Sequence, residues 1–258
     1  LKNIILIGTG RLAWHLGPAL KNAGHSIIQV LGRNPENTLE LAHHLESKAI
    51  IHWSEMNSEA DFYILAIPDQ VLLNLASLIP LRDRFFIHCS GASPLNILSS
   101  LSSHIGVLYP MQTFSKEIEL DFKAVPLFIE SGKEEDLGIL NTLAQSLSEF
   151  VYPMDSEKRA YIHLSAVFAN NFTNHLVYLA EKLLGEMDIS AQVLFPLVAE
   201  TVRKILILGP EKAQTGPALR NDRITMNRHM ELLNSFPELQ KIYSDLSEDI
   251  IKTYKNES

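Results

Sequence analysis

The chain has 258 residues and a formal net charge of −8, from 22 Lys and Arg against 30 Asp and Glu. Its 46% hydrophobic and 20% charged content fits a globular protein, and the acidic balance argues against a general nucleic-acid or membrane-surface binder. Cys89 is the only cysteine, which excludes an intrachain disulfide and a zinc finger. No apolar run approaches the roughly 20 residues of a membrane span. The apolar start Leu1–Ile7 meets Gly8 too soon for a signal peptide, so a cytoplasmic protein is expected.

Short apolar runs at Asn3–Ile7, Ser26–Leu31, Ala49–Ile51, Phe62–Ile67, Phe85–His88, Ile105–Tyr109, Pro126–Ile129 and Phe150–Tyr152 read as strands buried on both faces. Helix signals separate several of them. Asn34-Pro35 is an N-cap followed by proline at the first helical position, ahead of Leu39, Leu41, Ala42 and Leu45. Pro68-Asp69 precedes Val71, Leu72, Leu75 and Ala76 in the same way, with Asp69 placed to cap. The alternation predicts an α/β fold over 1–153: a doubly wound, mainly parallel sheet with right-handed crossovers.

Past Met154 the pattern changes. Ser156–Leu184 holds neither proline nor glycine, and Tyr161, Leu164, Phe168, Phe172, Leu176, Leu179 and Leu183 recur at helical spacing. Asp155 or Ser156 can cap this helix, with Glu157 in its first turn. Helices are expected again at Ser190–Leu208, Asp222–Asn234 and about Pro237–Tyr254, so 154–258 predicts an all-α domain. Lys255–Ser258 reads as a frayed tail.

The first strand leads into Gly8-Thr9-Gly10-Arg11-Leu12-Ala13, a G-x-G-x-x-A turn opening a helix. Glycine permits the tight turn and close approach to a pyrophosphate, and free N–H groups at a helix start attract the anion. A dinucleotide held by Gly8, Thr9, Gly10, Arg11 and Leu12 is the expectation; a glycine turn without a ligand and a methyltransferase-like site are the alternatives. After the second strand come Gly32-Arg33-Asn34, with no carboxylate before Glu36. Arg33 offers a fork of donors for a 2′-phosphate, so NADP (NADPH) is favoured over NAD, with Asn34 beside it. Ala66, Ile67 and Pro68 end the fourth strand, at the sheet edge where ligands of open α/β folds bind.

Together with His88-Cys89-Ser90-Gly91, Tyr109-Pro110-Met111-Gln112-Thr113-Phe114 and Thr215-Gly216-Pro217 with Arg220 and Asp222, these motifs resemble a family of bacterial NADP oxidoreductases. In that family a Rossmann-like domain is joined to a helical domain of unknown function. More distantly the chain is similar to pyrroline-5-carboxylate reductases, deazaflavin-dependent NADP reductases and β-hydroxyacid dehydrogenases. The resemblance covers essentially the whole chain. It implies a nucleotide-binding domain, a helical domain that forms a homodimer, and a site in the cleft between them. It supplies no substrate. Tyr109 stands where many relatives carry histidine and Asn221 where many carry glycine, so no family role is carried onto either position.

Several residues are candidates for that site. Ser90 and the Gly91 amide could orient a substrate carbonyl, imine or carboxylate and contact the coenzyme; His88 could relay a proton, or simply be satisfied by backbone. Cys89 alternates away from them and reads as core filler. On the long helix His163, Asn170 and Asn174 share one face at 100° per residue, with Asn171 near it. β-Hydroxyacid dehydrogenases place a lysine and an asparagine one turn apart on the corresponding helix. Here His163 with Asn171 is the nearest equivalent, and an interhelix hydrogen-bond network is the competing account. Arg220 could clamp a carboxylate or pair with Asp222. Gln112 and Thr113 could add hydrogen bonds. The ten histidines show no metal-binding spacing, and a Gly-x-Ser-x-Gly elbow is absent. Hydride transfer between NADPH and a small polar C=O or C=N substrate is the leading reading. A non-catalytic NADP sensor is second and a reductase using a deazaflavin third.

Overall fold

A computed structural model describes residues 1–254; the expected tail, Lys255–Ser258, lies outside them. Contacts divide the chain into two compact units, Leu1–Asn170 and Asn171–Ser258.

The first unit is built on eight strands: β1 (Asn3–Ile7), β2 (Ser26–Leu31), β3 (Lys48–Ile50), β4 (Phe62–Leu65), β5 (Phe86–His88), β6 (Ile105–Pro110), β7 (Leu127–Ser131) and β8 (Val151–Pro153). Its helices are α1 (Arg11–Asn22), α2 (Pro35–His44), α3 (Asp69–Leu72), α4 (Leu75–Leu78), α5 (Glu134–Leu147) and α6 (Ser156–Ala166). The strand order is β3-β2-β1-β4-β5-β6-β7-β8. This is the Rossmann-like arrangement, with the order reversing between β1 and β4, where such folds open a ligand crevice. Ile4, Ile5, Leu6 and Ile7 are all buried because helices cover both sheet faces. Alternate residues feed two cores: Ile4, Leu6 and Ile64 face α1, α2 and α5, whereas Ile5, Ile7 and Tyr63 face Leu72, Leu75 and Leu98.

β7 is the antiparallel member, running opposite to β6. Residues 111–126 contain one 3-10 turn, Phe122–Ala124, and no helix of α type. A parallel return usually requires a helical crossover, whereas an antiparallel one does not.

The uninterrupted helix expected over Ser156–Leu184 is instead α6, a π-helical stretch Val167–Phe172, and α7 (Thr173–Gly185). The wider turn departs from the uniform 100° per residue on which the shared face of His163, Asn170 and Asn174 is reckoned.

The second unit continues with α8 (Phe195–Leu208), α9 (Pro210–Ala213), α10 (Arg223–Leu232) and α11 (Pro237–Thr253). The expected caps form: Asp222 accepts from the Thr225 amide to start α10, and Pro237 opens α11. Neither α7 nor α8 has a buried residue. Among the described residues no helix is long and apolar enough to cross a membrane, and no group of three or more His, Cys, Asp or Glu is arranged to hold a metal ion.

Candidate functional site

Two features converge at the carboxyl ends of the strands. The first is a cleft of about 660 Å³ at the β1/β4 reversal. Gly8 adopts φ +115° with its amide donating to the Leu31 carbonyl at 2.8 Å, and an added Cβ would strike the backbone of Ala66. Only glycine joins β1 to α1 here. Gly10 is the N-cap of α1; no side chain caps that helix, and its first turn carries no acid. A Cβ on Gly10 would meet nothing within 4 Å. The helix start is thus an open cradle with uncapped amides, suited to an anion.

Gly8, Thr9, Gly10, Arg33, Asn34, Ala66, Ile67 and Pro68 all line this cleft, as the motifs predict. Arg11 and Leu12 open α1 but do not line it, and Ser90 and Gly91 fall outside it. The chain adds Asn37, Ile51, Trp53, Gln70, Val71, Asn74 and Leu78, which sequence reasoning missed. Arg33 is exposed and is the one charged side chain among the described lining residues; no carboxylate accompanies it. The Asn34 side chain caps α2 by accepting from the Asn37 amide at 2.9 Å. Anion-accepting amides, a free guanidinium and apolar walls from Leu31, Ile51 and Trp53 together fit a nucleotide bearing phosphates.

The second feature lies where β5, β6 and α6 meet. His88 is fully buried; its Nδ1 accepts from the Ser90 amide at 3.2 Å and its Nε2 has no hydrogen-bond partner. Burial first, and then the Arg159 guanidinium, drop its pKa to about 3, with the Pro94 backbone opposing. It is neutral at ordinary pH and offers no exposed atom to a ligand. Ser90 Oγ accepts from the Ala92 and Ser93 amides at 3.1 and 2.8 Å, shaping the turn after β5. Cys89 sits in the core, its thiol pushed up to about 12 by burial, hence protonated and not nucleophilic.

His163 on α6 is half-buried, and its Nδ1 lies 3.1 Å from the hydroxyl of Tyr109 at the end of β6, the rings meeting edge to face at 78°. Gly91 closes this corner: a Cβ there would come within 2.7 Å of both His163 Nδ1 and the Tyr109 ring. Burial raises the Tyr109 phenol above its usual value, with the Arg159 charge opposing. The chain positions α6 through Arg159, which is fully buried and one turn before His163. Its guanidinium pairs with Glu130 of β7 and donates to the Ser93 carbonyl and to Ser156 Oγ. Ser156 in turn donates to Glu130 and accepts the Leu95 amide at 3.0 Å.

Asn171 is in the π-helical stretch, at the first residue of the second unit. Arg220 is exposed in that unit and makes no ion pair among the described residues; the Asp222 carboxylate goes to Thr225, whose Oγ1 donates to it at 2.7 Å. Gln112 Oε1 accepts from the Thr113 amide, and both residues are exposed.

Residues 3–91 match the family model described as NADP oxidoreductase, coenzyme F420-dependent, and residues 125–250 match a domain of unknown function. The search of curated proteins yielded no match. Among solved structures, a Bacteroides fragilis protein described as a putative NADP oxidoreductase is 40% identical, covers 97% of this chain and 98% of its own, and has a TM-score of 0.91. An imine reductase of Streptomyces aurantiacus is 12% identical with a TM-score of 0.68, over 97% of this chain and 96% of its own. The 1-pyrroline-5-carboxylate reductase of Streptococcus pyogenes is 13% identical with a TM-score of 0.61, over 97% and 98% respectively. At those two identities the likeness is one of fold. Given the Gly8–Gly10 turn, the cleft it opens and the Bacteroides fragilis match, the chain belongs to this NADP oxidoreductase family and is an oxidoreductase.

Proposed function

We propose that the chain transfers a hydride between NADPH and a small polar substrate carrying a C=O or C=N group. Arg33 carries the choice of coenzyme: among the described residues it is the one charged side chain lining the cleft, just past the end of β2, where NAD-selective folds place a carboxylate. The uncapped start of α1 takes the pyrophosphate and Ala66–Pro68 supply backbone contacts. When bound, the coenzyme supplies the hydride. His163 donates the proton that the substrate heteroatom requires, since it is half-buried and held by Tyr109. The Gly91 amide and Ser90 hydroxyl polarise the substrate, and His88 holds the Ser90 turn in place rather than relaying protons.

Following NADPH absorbance over 2-oxo acids, cyclic imines and a deazaflavin (the class of coenzyme named for the matched family) tests this reading. Turnover with one class, lost at least about 100-fold in His163→Gln at unchanged NADPH affinity, is expected. Unchanged turnover in that variant removes His163 from the reaction.

The helical unit supports a homodimer. Leu197, Leu206 and Ile207 are 63%, 80% and 65% exposed on α8, a density of apolar surface that a second copy would cover. Sedimentation as a monomer at micromolar concentration contradicts this.

A further inference from the structure

We propose that Tyr109 is a positioning residue that holds His163 in its Nε2–H tautomer, so that the imidazole presents a donor to the ligand side. The inference rests on the reading of His163 as proton source: as the Nε2 proton passes to the substrate heteroatom, Nδ1 takes the Tyr109 hydroxyl proton, so the ring stays neutral, and the phenolate is reprotonated from solvent.

A neutral imidazole carries one proton, and which nitrogen holds it is decided by the partner of the other. His163 Nδ1 has a defined partner, the Tyr109 hydroxyl at 3.1 Å. It is walled in on the same side by Gly91, where even a methyl group would press within 2.7 Å of Nδ1. Nε2, on the other edge of a half-buried ring, is therefore the nitrogen left for a ligand. The direction of the Tyr109–His163 bond follows from satisfying both groups. If Nδ1 donated, the buried Tyr109 hydroxyl would have to place its own proton elsewhere. It makes no second hydrogen bond among the described residues. If Tyr109 donates, its proton is satisfied, and the Nε2–H points to where water or substrate can accept it. The second arrangement leaves no buried donor orphaned. Tyr109 also stays a donor across the working range, because burial against Phe128 and Val107 keeps the phenol protonated. The Arg159 charge favours donation by the phenol, while burial keeps its proton in place.

Nitrogen-15 NMR of the histidine side chains reads the tautomer without substrate or turnover. The spectrum is followed upward in pH until it no longer changes, so that the neutral ring is the species read. The His163 signals, identified by their loss in His163→Gln, should show Nε2–H over Nδ1–H by about tenfold or more. In Tyr109→Phe the ratio should fall to that of free histidine in water. A wild-type His163 protonated at Nδ1, or a ratio unchanged in Tyr109→Phe, overturns the proposal. The wild-type spectrum decides it even if the variant fails to fold. Failure of the wider reading looks different: the tautomer pattern is as expected, yet His163→Gln leaves NADPH oxidation unchanged.

Discussion

Gly8 packs its α-carbon against the carbonyl of Ala66, joining the end of β1 to the end of β4 at the point where the sheet order reverses. The contact and the φ of +115° leave no room for a side chain. Two glycines of one turn therefore have separable tasks. Gly8→Ala should cost about 3 kcal/mol of stability, from backbone strain and a displaced Ala66. Gly10, at φ −77° with nothing near its Cβ position, should tolerate alanine in folding yet lose coenzyme affinity about tenfold or more, because the methyl occupies the anion cradle. Denaturant titration and coenzyme binding on both variants check the pair; equal effects on stability contradict it.

His88 ties stability to acid. Its pKa falls from 6.5 in the unfolded chain to about 3 in the fold. The unfolded state therefore binds the proton more tightly. The stabilisation is fully present above about pH 6.5 and is lost as pH falls from there toward about 3. Between pH 7.5 and pH 5 the loss should be about 2 kcal/mol. His88→Asn keeps an acceptor for the Ser90 amide and should flatten this dependence. Urea midpoints at the two pH values measure it.

Arg159 and Glu130 fasten α6 to β7 where neither charge has much access to water, Arg159 being fully buried. Arg159→Leu strands the carboxylate and should destabilise by about 3–5 kcal/mol. Adding Glu130→Leu should recover part of that loss, because the penalty is the unpaired charge more than the missing attraction. A double-mutant cycle in guanidinium shows whether it does.

The strands were legible because β1 and β4 are apolar at four consecutive positions and β2 is broken only by Gln29 between two apolar pairs, as burial on both faces demands. The Gly8–Gly10 turn and Arg33 were legible because their chemistry is local. The Tyr109–His163 pair was not: its members are 54 residues apart, and nothing at either position names the other. The same holds for Arg159, whose partners Ser93 and Glu130 come from other strands' ends, and for Trp53 and Asn74, brought to the cleft by tertiary packing. His88 reads in sequence as a polar strand end; only the neighbouring turn and Arg159 make it buried and neutral. The π-helical stretch within Val167–Phe172 left no mark in the apolar spacing.

On the function proposed above, the unopposed Arg33 guanidinium in the cleft selects a phosphorylated dinucleotide. Calorimetric titration of the wild type and Arg33→Ala with NADPH and NADH tests it most directly. The wild type should prefer NADPH, and the variant should lose about 10–100-fold in NADPH affinity while binding NADH as before, since charge-assisted hydrogen bonds contribute about 1.5–3 kcal/mol. Equal binding of both dinucleotides by the wild type, or an unchanged preference in Arg33→Ala, contradicts it.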